Sequence, residues 1–201
     1  MPGINRKYCI YLFATAVIIS VCSCSSPGRD KYASLVKKEL AKGTRVDSLF
    51  LGISFGMTSK VFYGYCWELN KKGVITDGAN NTMVLYKMDS QLKYPASMNF
   101  YPDFYEDKVY HMRVTFQYNT WAPWNKTQFA DTLLPDVLRL YKQWYPGGNE
   151  FIEMTDKVKG TIYVKVDGNR RIILGRYDDM IVKADYTDLL IEEQLEKRLK
   201  K

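Results

Sequence analysis

Between residues 109 and 118 the chain alternates without a break. Tyr110, Met112, Val114, Phe116 and Tyr118 share one parity, and His111, Arg113, Thr115 and Gln117 share the other. A period of two over this length predicts a β-strand with one apolar and one polar face. Such a strand needs neighbours on both sides and a second layer over its apolar face. Segments of helical period supply that layer. Tyr32, Leu35, Val36 and Leu40 line one face of a helix that Gly43 ends. Thr58 or Ser59 caps a second helix, with Val61, Phe62, Tyr65, Cys66 and Leu69 inward and Gly73 as its stop. Leu133, Leu134, Val137, Leu138, Tyr141, Trp144 and Tyr145 form a third, with Thr132 as the expected cap and Pro135 in the first turn. A last helix runs from about Asp188 through Leu195 and Leu199. Further strands are predicted over 83–86, 98–101, 161–166, 170–174 and 180–184, with Asp167-Gly168-Asn169 as a hairpin turn. The order of elements predicts an α+β fold: one domain over residues 31–201, with an antiparallel sheet packed against helices. Its two helix-plus-hairpin halves would span 46–120 and 121–201.

The first 23 residues are expected to stand apart from that domain. Arg6 and Lys7 precede an apolar run over residues 8–21, shorter than the roughly 20 residues a spanning helix needs. Ser20-Val21-Cys22-Ser23-Cys24-Ser25-Ser26 ends it, in the form of a secretory signal. This ending resembles a bacterial lipobox, with aliphatic Val21 three places before Cys24 and small Ser23 directly before it. The resemblance implies cleavage before Cys24, acylation of Cys24 and anchorage in membrane lipid. Ser25-Ser26 and the aromatic-rich body resemble outer-membrane lipoproteins of the Bacteroidota. Arg29, Asp30 and Lys31 stand where surface-exported members carry acidic residues, so the periplasmic side is expected, with the cell surface as the alternative. Residues 24–30 read as a tether. Cys9 and Cys22 leave with the leader and Cys24 takes lipid, so Cys66 remains as a buried, inert thiol and no intramolecular disulfide is expected.

Catalytic signals are sparse. His111 is the one histidine, and no GxSxG elbow, phosphate loop, HExxH or paired-cysteine spacing occurs. Asp103, Glu106 and Asp107, and again Asp178, Asp179 and Asp185, lack calcium-loop spacing and read as charged turns. No catalytic residue, metal site or cofactor is expected. The formal charge of +7 is spread along the chain, and export argues against a nucleic-acid partner. Aromatic residues are the excess, with 16 tyrosines. Tyr101, Phe104, Tyr105, Trp121 and Trp124 read as loop aromatics, candidates for a binding surface together with His111 and Arg113 on the polar strand face.

Gly56-Met57-Thr58-Ser59-Lys60-Val61 resembles the G-M-T/S-x-x-x-V turn of the superfamily that holds beta-lactamase inhibitor proteins and the small lipoproteins of outer-membrane assembly, with the valine one residue early. The resemblance implies a helix packed on a small sheet in a non-catalytic binding module. The expected function is therefore binding of an envelope protein, or assistance to envelope assembly. The alternatives are a glycan or small-ligand module and a hydrolase using an acidic pair.

Overall fold

The structure, a computed structural model, describes residues 27–78, 82–156, 158 and 160–200. The leader, Cys24 and Ser25-Ser26 lie outside the described residues. Helix α1 (Pro27–Ala41) is followed by α2 (Ser59–Lys71), β1 (Thr76–Asp77), β2 (Val84–Met88), β3 (Ala96–Tyr105) and β4 (Lys108–Tyr118). A 3-10 turn (Lys126–Gln128) then leads to α3 (Ala130–Trp144), β5 (Ile152–Asp156), β6 (Gly160–Asp167), β7 (Arg170–Arg176), β8 (Val182–Asp188) and α4 (Leu189–Leu199). The fold is α+β. Its eight-stranded antiparallel sheet has the order β1-β2-β3-β4-β8-β7-β6-β5. Each half is a helix followed by a four-stranded meander, and the last strand of each meets the other in the middle, Val114 opposite Ala184.

One sheet face carries the main core. Met98, Phe100, Met112, Val114, Phe116, Ile172, Leu174, Val182, Ala184 and Tyr186 point into it, against Phe62, Cys66 and Leu69 of α2 and Leu133, Val137, Leu140 and Tyr141 of α3. Phe50, from the segment before α2, wedges between the helices, with its ring 5.0 Å from Phe100, 5.5 Å from Tyr186 and 6.4 Å from Trp144. The opposite face has a smaller cluster, where Tyr32, Leu35, Val36 and Leu40 of α1 and Leu189 of α4 cover Val164, Val166, Ile162 and Ile173.

Several sequence expectations are corrected. α1 starts at Pro27, so 27–30 are its first turn rather than tether; proline is favoured at a first helical position and Asp30 suits the positive helix end. Val61 is exposed, because α2 turns only Phe62, Cys66 and Leu69 fully inward. α3 starts at Ala130 rather than after Thr132, placing Pro135 inside the helix, where it withholds the N–H that would meet the Asp131 carbonyl. Tyr110 does not take the core position its parity suggests. A bulge pairs Phe104 with Val109 but Asp103 with His111, so Val109 is buried and Tyr110 is the extra residue. β1 and β5 are strands that hydropathy does not reveal.

The hairpin turns fix which elements meet. Asp167 pairs with Arg170, and Gly168 between them has φ +56°; a Cβ there would fall on the Thr44 carbonyl. A buried polar network gathers at this end. Glu39 accepts from the Gly168 N–H at 3.0 Å, Lys165 lies 3.3 Å from Asp167, and Arg170 donates to the Ser48 carbonyl while stacking 4.6 Å from the Tyr145 ring. Burial pushes the Glu39 carboxyl up, but hydrogen bonds from Lys42, Asn149 and Gly168 outweigh it and bring it down to about 2.

Candidate functional site

α4 runs from the end of β8 to the β3–β4 turn, where Arg198 meets Glu106 at 3.0 Å, and α1 covers the β5–β6 part of the second sheet face. Arg171 of β7 ties α4 down, through paired bonds to Glu192 at 2.6 and 2.8 Å and one to Tyr32 of α1 at 3.1 Å. Away from the β3–β4 turn no described helix lies over β3, β4 and β8 on this face. Ser97, Asn99, Tyr101 and Asp103, then His111, Arg113, Thr115 and Gln117, then Lys183 and Asp185, form an open field of partly exposed side chains.

Its centre is a polar quartet built by strand register. Asp103 is the cross-strand partner of His111, and Arg113 that of Asp185. Asp103 Oδ2 lies 2.7 Å from His111 Nδ1, and its Oδ1 accepts from Arg113 Nη2 at 2.8 Å. Asp185 Oδ1 stands 3.7 Å from His111 Nε2, an ion-pair distance rather than a hydrogen bond. A carboxylate that orients an imidazole is half of a catalytic arrangement. The other nitrogen here faces a second carboxylate. The hydroxyl of Thr187, opposite His111 on β8, is buried and accepts from Arg171 at 3.2 Å. The quartet is suited to presenting fixed charges and donors to a surface laid over it.

The seven predicted binding residues do not form one site. His111 and Arg113 come together as described. Tyr101, Phe104 and Tyr105 lie within β3 rather than in a loop. Tyr101 has the strand parity of the open field, but its hydroxyl meets that of Tyr63 on α2 at 2.7 Å, at the edge of the sheet; this bond first, and burial second, hold Tyr63 up at about 12. Phe104 packs at the core rim, 6.1 Å from Phe62. Tyr105 stacks edge-on to Tyr110 at 6.3 Å, with the Arg198 guanidinium 5.1 Å above it, beside a cleft of about 390 Å³ under α4. Trp121 is a plug: its ring lies 5.8 Å from Phe129 and its Nε1 is buried without an acceptor. Trp124 is 85 % exposed. Both tryptophans follow the far end of β4, whose last residue, Tyr118, is seven residues beyond His111, about 23 Å at some 3.3 Å per residue.

Sequence spacing does not reveal Asp103 and Asp185 as partners of His111, since both read as turn residues. Nor does it reveal a groove of about 320 Å³ between α2 and the β1–β2 edge, lined by Tyr63, Trp67, Asn70, Asp77 and Tyr101 among others. Cys66 lies at its back, where burial pushes the thiol up to about 11. Among the described residues no three or more His, Cys, Asp and Glu side chains converge to hold a metal ion, and no helix is long and apolar enough to cross a membrane. Comparison with family models, with curated proteins and with solved structures gives no match, so the reading of this face rests on its geometry.

Proposed function

We propose that the protein is a non-catalytic, lipid-anchored envelope protein that holds a protein partner against the open face of β3, β4 and β8. Acylated Cys24 would anchor it in the outer membrane, facing the periplasm. The observation that carries the proposal is the partly covered sheet face: α1 and α4 shelter β5–β7 and the β3–β4 turn, and the bare remainder displays a quartet fixed by its own contacts. Fixed charges on a rigid sheet bind with little ordering cost. Arg113 keeps donors free of Asp103 and is half exposed, and Lys183 lies beside it on β8, so the matching partner surface carries carboxylates. A photo-crosslinking residue placed at Arg113, Thr115 or Gln117 of the full-length chain in its host should give one discrete protein adduct. The same residue at Lys142 on the outer side of α3 should give none. Equal labelling from both faces would reject the assignment.

The groove beside α2 favours a second reading. Trp67, 61 % exposed, offers a flat ring at a concave site with Asn70 and Asp77 close by, the chemistry that holds a sugar ring. Titration with envelope oligosaccharides, followed by calorimetry on wild type and Trp67→Ala, checks it; saturable heat that persists in the variant removes this reading.

A further inference from the structure

Three side chains that the proposed function leaves unused are the most exposed apolar tips of the sheet's loops: Trp124 (85 %), Val158 (92 %) and Tyr177 (61 %). They come from three different connections, after β4, between β5 and β6, and between β7 and β8. Strand register puts all three at the same end of the sheet. Phe116, near the close of β4, is paired with Val182 at the start of β8, Val182 with Arg176 at the close of β7, and Gly175 with Ile162 at the start of β6. The connections are also tied to one another. The Asp179 carbonyl of the β7–β8 turn accepts from Ala130 N at 2.8 Å, and Arg176 pairs with Asp131 at 2.7 Å and Asp179 at 2.5 Å. Arg176 offsets one of these two negative charges. Lys126 lies two residues from Trp124, and Lys183 sits 4.9 Å from the Tyr177 ring.

α1 begins at this same end. Gly28 packs on β5, where an added Cβ would come within 3.1 Å of the Glu153 carbonyl and 3.2 Å of Met154 Cγ; the far end of α1 meets the opposite turn, through Glu39 and Gly168. Cys24 is three residues before Pro27. Whatever path those residues take, the cysteine lies within about 10 Å of the start of the helix.

We propose that this end of the molecule rests on the lipid bilayer, with Trp124, Tyr177 and Val158 inserted at the headgroup boundary. The inference rests on acylation of Cys24, part of the proposed function. An acyl anchor holds the domain's N-terminal end at the bilayer, and tryptophan and tyrosine are the side chains that favour that interface. The membrane, rather than a soluble partner, is the occupant because the short reach from Cys24 brings it to these tips. The open face of β3, β4 and β8 then stands roughly along the membrane normal, accessible from the side.

The test uses the full-length, processed protein in vesicles of phosphatidylethanolamine and phosphatidylglycerol. Bimane is attached at Trp124→Cys, Val158→Cys or Tyr177→Cys, and at Trp67→Cys and Thr115→Cys as controls, with buried Cys66 left in place. Quenching by doxyl-labelled lipid should be several-fold stronger at the three tips than at the controls. Uniform quenching, with acylated Cys24 confirmed by mass spectrometry, overturns the orientation alone. An unmodified Cys24 overturns both the anchor and this inference.

Discussion

Glu39 shows how one side chain commits the N-terminal helix to the second half of the chain. Its carboxylate is buried, accepts from the Gly168 N–H, and is held at about 2 against an ordinary value of 4.5. A carboxyl lowered on folding stabilises the native state fully above the ordinary value, and the contribution is lost as pH falls toward the lowered one. Wild type should therefore lose stability between about pH 4.5 and pH 2, and Glu39→Gln should flatten that slope. At pH 7 the same variant should cost about 2 kcal/mol in a urea titration, the worth of a charged, buried hydrogen bond. An unchanged acid limb would show that the Glu39 carboxyl is not lowered on folding. The site was less legible at this scale. His111 and Arg113 were identifiable from strand parity, but their partners were not. Asp103 lies eight residues from His111 by way of a turn, and Asp185 is in another half of the chain, so sequence spacing carries no trace of either contact.

Among the elements, β4 combines the most readable pattern with the most consequential departure from it. The turn Glu106-Asp107, both at positive φ, sets Tyr105 opposite Lys108. Continued without interruption, that register would oppose Asp103 to Tyr110. The bulge advances it by one residue, buries Val109 and delivers His111 to Asp103. Simple alternation would make Tyr110 the costly position. The structure makes it Val109: Val109→Ser should cost about 2 kcal/mol or more and Tyr110→Ser well under that in chemical denaturation, and the reverse ranking would contradict the bulge. α3 offers a second test. Pro135 withholds a helical bond from the Asp131 carbonyl, so Pro135→Ala should raise stability by about 1 kcal/mol, less than the full cost of an interior proline because alanine also frees the unfolded chain. The helices were legible because their apolar faces repeat over several turns. β1, two residues long, and β5, whose pattern is half exposed, have no comparable signal; pairing rather than hydropathy makes them strands.

At the scale of the molecule, the sheet divides two layers of unequal depth. The main core draws on α2, α3 and most strands, whereas α1 is held by the small cluster around Val164 and Val166 and by the Glu39 contacts. Local opening follows the shallower layer. Amides of α1 should exchange with deuterium at least tenfold faster than those in the middle of α3, and equal protection would mean that α1 is part of a single cooperative core. The α+β class and the order of helices and strands could be read from periodicity, but not the joining of β4 to β8, because alternation says which face a strand buries and nothing about its neighbour. That junction has a temporal meaning. Val114 waits for Ala184, seventy positions later, so the middle of the sheet stays open until β8 has been made. A chain delivered from its N-terminus, by a ribosome or through a membrane, therefore has β4 made early and left without its inner neighbour. It remains threadable until β8 arrives, and β8 locks it.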